Sequence, residues 1–207
     1  MKDRKLDLDA ILGELGHFGR YQARVYFLIL LTIIFSAVYL SQYIFAAGDI
    51  GYRCRVPECE QTPPQFITGD WSVWALPDTG RCHKQVAVGQ DCISNSFLSN
   101  ETERCSSWVY ESNNTIVAEF DLACREWQRT LVGTIHNAGA LASLPVTAFV
   151  SDTFGRRIAL IITAVSPSVL GVIRAFSFNY PMYIALEFLD AMFGNGVFTT
   201  GFILGKT

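Results

Sequence analysis

Three stretches of this chain hold no Asp, Glu, Lys or Arg: Tyr26–Ala47, Thr130–Ser151 and Ile158–Ile173. Such runs constrain a fold more than any motif. A helix rising ~1.5 Å per residue crosses ~30 Å of hydrocarbon with ~20 apolar residues. The first two runs reach that length outright. The third reaches it if Arg174 carries its guanidinium to the headgroups on its methylene stem. A fourth run, Met182–Leu204, is interrupted by Glu187 and Asp190, but Phe188, Leu189, Met192, Phe193, Val197, Phe198, Phe202 and Ile203 carry it on, with no loop signal inside. The pattern predicts an all-α membrane protein with about four transmembrane helices, at 25–47, 130–150, 158–178 and 182–204. Composition alone does not decide this, because 50% hydrophobic residues also suits a soluble domain. The first 25 residues are charged and lack an apolar stretch, so no cleavable leader is expected and the first helix acts as its own insertion signal.

Basic residues near the helix ends set orientation. The arm 1–24 carries Lys2, Arg4, Lys5, Arg20 and Arg24, and the link 151–157 carries Arg156 and Arg157. Both are predicted to be cytoplasmic, in a multi-pass protein of the plasma membrane. The segment 48–129 then lies outside. All six cysteines fall in it: Cys54, Cys59, Cys82, Cys92, Cys105 and Cys124. An even set in one segment predicts three disulfides in an oxidising compartment, with fifteen pairings open. Zinc is the weaker reading, since no pair has C-x-x-C spacing and His83 is the loop's one histidine. Glycosylation sequons at Asn100 and Asn113 agree with an outside loop. A core of ~80 residues is marginal without such staples.

The link Ser151-Asp152-Thr153-Phe154-Gly155-Arg156-Arg157 has two readings. One is a basic stop-transfer flank. The other is a conformational latch, in which Asp152, Arg156 and Arg157 pair with another helix in one state only and Gly155 permits the tight reversal. Four polar residues inside the helices, His136, Asn137, Glu187 and Asp190, are candidates for a translocation path, because ionisable groups at membrane depth are functional candidates. The alternative is structural pairing. Glu187 and Asp190 share a helix face, and a helix descending from Tyr180 puts both in its outer half, which makes Arg174 the nearer partner. Tyr39, Gln42 and Tyr43 could likewise face the path or hydrogen-bond a neighbouring helix near the outer mouth of the first helix, but they read most simply as interfacial residues. Pro145 and Pro167 should bend their helices, and Gly194, Gly196 and Gly201 should permit close helix approach. The ending Gly201-Phe-Ile-Leu-Gly205-Lys206-Thr207 is not a phosphate loop, which needs four residues between its glycines. With no catalytic triad, metal cluster or basic nucleic-acid patch in the sequence, the expectation is no enzyme, no cofactor and no nucleic-acid partner.

These residues together resemble the organic cation, carnitine and organic anion transporters, solute carrier family 22, of the major facilitator superfamily. The Asp-x-x-Gly-Arg-Arg core of 152–157 is similar to the superfamily's loop between its second and third helices. The large six-cysteine loop after the first helix is similar to that of this one family. So are Glu119-Phe120-Asp121-Leu122-Ala123-Cys124 with Trp127, and Gly16-His17-Phe18-Gly19-Arg20-Tyr21-Gln22 in the arm. The resemblance covers essentially the whole chain. It implies a partial major facilitator fold, alternating-access transport of small organic ions such as cations or carnitine-like solutes, and interleaved disulfides. It also implies a possible homo- or hetero-oligomer formed through the extracellular loop.

There are departures. Ala148 stands where the superfamily motif has glycine, Thr153 where a basic residue often follows the aspartate, and Glu187-Phe188-Leu189-Asp190-Ala191 where Arg-Phe-Leu and a small residue are common. They fit a divergent, invertebrate branch. The family has twelve helices, so the chain is expected to be a truncated form, partial gene model or splice product, inactive by itself. Two other readings are a four-helix adhesion or scaffold protein and a truncated regulator of full-length transporters.

Overall fold

The computed structural model describes residues 19–77 and 80–205. The readings placed on residues 1–18, including Lys2, Arg4 and Lys5, and on Lys206 and Thr207 lie outside the described residues. Helix α1, Arg20–Ala46, starts with half a capping box: the Gly19 N–H donates to Gln22 Oε1 at 2.6 Å. Helix α4, Glu126–Phe154, and helix α5, Arg156–Ala175, are joined by Gly155 alone. Its φ of +84° is a left-handed value that glycine adopts without a Cβ penalty, so it ends α4 and lets α5 start at the next residue. Helix α6, Tyr180–Gly194, is capped by Asn179, whose Oδ1 accepts the Met182 N–H at 2.9 Å.

The run 182–204 is not one helix. Asn195 separates α6 from α7, Gly196–Gly205, and both its N–H and its side-chain amide donate back to Ala191 O, at 3.2 and 3.0 Å. Gly196 opens α7 against α4 and α5. A Cβ there would lie 2.6 Å from Thr147 Oγ1 and 2.6 Å from Thr163 Cγ2, so no side chain fits. Gly194 and Gly201, also expected to permit close approach, have only ordinary contacts near 3.5 Å.

Among the described residues, two helical segments are by length and composition apolar enough to cross a membrane, Gln22–Ala46 and Arg156–Ala175, where four spans were expected. Helix α4 is ~43 Å long but holds Glu126, Arg129, His136, Asn137 and Asp152. The break at Asn195 leaves α6 and α7 each too short alone.

The loop departs from the all-α expectation. Strand β1, Tyr52–Cys54, pairs antiparallel with β4, Trp108–Tyr110; strand β2, His83–Ala87, pairs antiparallel with β3, Phe97–Arg104. Short helices α2, Ser72–Ala75, and α3, Ile116–Glu119, fill between them. The three disulfides are Cys54–Cys105, Cys59–Cys92 and Cys82–Cys124. The second nests inside the first and the third crosses both, so the bridges interleave as the resemblance implies. Asn100 on β3 and Asn113 in a turn are both exposed.

The described residues form two compact units. One comprises 41–77, 80–137 and 176–187. It has two apolar centres: Val56, Ala75 and Phe97 with Trp71 and Trp74, and Ile116, Val117, Leu122, Val132 and Tyr183. Arg53, 8% exposed, organises the first region. It donates to the carbonyl oxygens of Phe66 and Cys54, each at 3.0 Å, and to that of Gln65, pairs with Glu60, and lies over the Trp71 ring. The other unit comprises 19–40, 138–175 and 188–205. Here burial is inverted. Phe27, Leu31, Phe35, Val38, Phe149, Ile161, Val165, Val169 and Val172 are exposed, while Ser143, Thr147, Thr163, Arg174, Asp190 and Thr200 are buried. Apolar side chains outward and polar ones inward is an arrangement for hydrocarbon surroundings, since so large an exposed apolar face is unfavourable in water.

Candidate functional site

Each buried acid of α6 meets a cation or a potential cation. Glu187 is 1% exposed and belongs to the unit that contains the loop. Its Oε1 lies 2.8 Å from Nδ1 of His136, on α4. The imidazole is fixed from a second side by the Tyr43 ring of α1, stacked at 4.0 Å between centroids and 22° between planes. Among the described residues, His136 Nε2 has no hydrogen-bond partner. A carboxylate this deeply buried is tolerated only when paired.

Asp190, 3% exposed, belongs to the helical unit. Its Oδ2 accepts from Arg174 Nη1 at 2.9 Å. Arg174 is itself buried at 7%, so it does not reach for headgroups; the interior carboxylate holds it instead. Asp190 Oδ1 accepts from the Tyr39 hydroxyl, which has the Pro167 carbonyl oxygen as an alternative acceptor at 2.9 Å. The half-buried Tyr39 is therefore a donor to the neighbouring helices. The sequence offered that role beside the interfacial one it favoured, but not the pairing of His136 with Glu187, although both were singled out. The available signal was that two polar groups inside apolar helices each need a partner.

Beside Tyr39, within the same unit, a cavity of about 360 Å³ is lined by Thr32, Ser36, Thr163, Ser168 and Pro167 among others. It offers hydroxyls and apolar walls. The nearby acid, Asp190, is already neutralised by Arg174.

The other predicted residues fall elsewhere. Asn137 is exposed and donates to Gly133 O of its own helix at 2.8 Å. Asp152, Arg156 and Arg157 are exposed around Gly155. Asp152 sits in the last turn of α4 and the arginines in the first turn of α5, so each charge opposes its helix macrodipole.

No family model matches the chain. Individual relatives do. Solute carrier family 22 member 3 of Rattus norvegicus is 28% identical over 95% of this chain and 40% of its own length. The organic cation transporter-like protein of Drosophila melanogaster is 29% identical over 95% of this chain and 36% of its own. The chain resembles solute carrier family 22. Solute carrier family 22 member 6-B of Xenopus laevis, 29% identical over 94% of this chain and 37% of its own, extends the similarity within that family. The chain spans about 40% of the length of the curated relatives it matches. The family resemblance thus covers the arm, the cysteine loop and the helices together.

Proposed function

We propose that the protein takes part in transmembrane transport of small organic ions, of organic-cation or carnitine type, by alternating access. The observation that carries this reading is the inverted burial of the helices: ionisable residues sealed inside elements whose outer faces are apolar. A purely structural membrane helix has little reason to enclose two acids, an arginine and a histidine, each costly at that depth. The similarity to solute carrier family 22 supports the same class.

In this reading α4 and the broken α6–α7 run cross the bilayer along with α1 and α5, with the N-terminus cytoplasmic. Glu187, Asp190, His136 and Asn137 lie on or next to the path. The disulfide-bonded loop caps the outer side and can support oligomerisation. The 152–157 link is a latch: Asp152, Arg156 and Arg157 lie exposed around Gly155, where they can pair with another element in one state and not in the other.

The test is uptake of labelled tetraethylammonium and labelled carnitine by cells expressing the protein from its complete open reading frame. Uptake above mock-transfected cells is expected. Asp152→Asn should lower it about tenfold, within the usual range of a coupling energy between states, with surface abundance unchanged. No uptake of either solute by protein present at the surface would end the transport reading.

A further inference from the structure

A polar cavity of about 610 Å³ lies within the unit that holds the cysteine loop, a volume in the ~300–1,000 Å³ range of small-molecule sites. Its lining includes Arg104, the last residue of β3, Trp108, the first of β4, Arg125 and Trp127 at the start of α4, and Ser106 and Asp121. These segments are tied together. The Cys105 N–H donates to Cys82 O at 3.1 Å, and Cys82 is bonded to Cys124, next to Arg125. Cys105 is itself bonded to Cys54. Asp121 and Cys124 hold left-handed φ values of +51° and +58°, which residues other than glycine keep only where their surroundings fix them. The walls are therefore set before a ligand arrives, which lowers the ordering cost of binding.

The lining carries three kinds of chemistry. Arg104 and Arg125 are exposed, and among the described residues neither has an acidic partner. Glu103, beside Arg104 in the chain, pairs with Lys84 at 3.1 Å instead, and neither Glu103 nor Glu126 lines the cavity. Guanidinium forks of this kind suit a carboxylate. Ser106 and Asp121 add a hydroxyl and an acceptor. Asp121 Oδ1 accepts from the Tyr110 hydroxyl, and its other oxygen has no donor among the described residues, so it can accept from a ligand hydroxyl. Trp108 and Trp127, the latter 66% exposed, offer indole faces. A plain aryl anion would meet Asp121 unfavourably, and an organic cation would meet both arginines. A ligand with a carboxylate, several hydroxyls and a C–H face satisfies all three groups, and a sugar acid has all of these. The three disulfides fit an oxidising compartment outside the cytosol, where such sugars are displayed.

We propose that this cavity binds a uronic acid, either free or at the end of a glycan. The two arginines hold the carboxylate, Asp121 and Ser106 hold ring hydroxyls, and an indole covers the C–H face of the sugar. Such binding does not require transport.

The test is titration of the purified protein, in a detergent without a sugar headgroup, followed by saturation-transfer NMR on the sugar protons. D-Glucuronate should bind at least about tenfold tighter than D-glucose, the ratio expected from one hydrogen bond to a charged group. Arg104→Gln and Arg125→Gln, both at exposed positions, should each bring glucuronate close to the affinity of glucose while eluting like the wild type. Trp127→Ala should weaken both sugars, and Trp127→Phe, which keeps a ring, should restore most of the loss. Methyl β-D-glucuronide separates the two sources: binding as tight as that of glucuronate admits a glycan end, and binding of the free sugar alone assigns the site to a free sugar acid. No saturable signal from glucuronate up to about 10 mM, equal affinity for glucuronate and glucose, unchanged affinity in both arginine variants, or benzoate binding as tightly as glucuronate would each overturn the assignment.

Discussion

Two carboxylates three residues apart on α6 are neutralised in different ways. Asp190 has an arginine and a tyrosine hydroxyl; Glu187 has a histidine braced by an aromatic ring. Arginine is a cation at any pH the protein meets, whereas a histidine is one only when both ring nitrogens carry a proton. Within one apolar helix the two acids are therefore given partners of different chemistry at similar depth of burial.

The largest effect should come from breaking the scaffold pair. Arg174→Ala takes the cation away from the buried Asp190 carboxylate and should cost about 3–5 kcal/mol, as should Asp190→Ala in reverse. The measurement is thermal unfolding of the purified protein in detergent, together with surface abundance. The double variant Arg174→Met/Asp190→Leu should recover most of that stability, because a well-packed apolar pair can replace a buried ion pair at little cost. If Arg174→Ala is tolerated, Asp190 is not part of the scaffold and the contrast with Glu187 fails.

The contrast was only half legible in the sequence. Charge-free runs marked the helices, and the six cysteines marked a separate stapled loop. Arg174 was recognisable as a partner for the acids because it lies close in the chain, just before the helix that carries them. The His136–Glu187 contact spans 51 residues, and pairing at that distance depends on which faces α4 and α6 present. Helices that are apolar on nearly every side give little sign of their facing. The same lack of an amphipathic stripe made Tyr39 look interfacial. The break at Asn195 was signalled by Gly194-Asn195-Gly196, but small residues are common in membrane helices and did not read as a stop. Arg53, the buried organiser of the loop, could not be told from an ordinary surface arginine, because its acceptors are mostly backbone carbonyls that no side-chain pattern reveals.

A smaller effect should follow from Tyr39→Phe. It removes the hydroxyl that donates to Asp190 and keeps the ring, so it isolates one hydrogen bond to a charged group. The expected loss is about 1.5–3 kcal/mol, again by thermal unfolding. Arg174 still neutralises Asp190, so the loss should be smaller than that of Arg174→Ala. A loss as large as that of Arg174→Ala would mean that Tyr39 does more than donate to Asp190.

The smallest effect concerns a third acid, in the loop, where water replaces much of what the helices must supply themselves. Asp121 accepts from the Tyr110 hydroxyl. Burial, followed by that hydrogen bond and the nearby carboxylate charge, pushes the Tyr110 pKa well above its ordinary value of 10. Below pH 10 the hydroxyl is protonated in both folded and unfolded chains, and its stabilisation is fully present. Above pH 10 the unfolded chain ionises while the folded loop keeps the proton, so stability falls as pH rises toward the folded value. Tyr110→Phe should cost at most about 1 kcal/mol at neutral pH, because the acceptor is exposed, and should flatten the decline above pH 10 in thermal unfolding of the whole protein. Asp121→Asn should fall between the two, keeping an acceptor without its charge. An unchanged alkaline slope in Tyr110→Phe would mean that another tyrosine carries it. The three acids thus differ in the donor that faces them: a permanently charged arginine, a tyrosine hydroxyl that keeps its proton into strong base, and an imidazole.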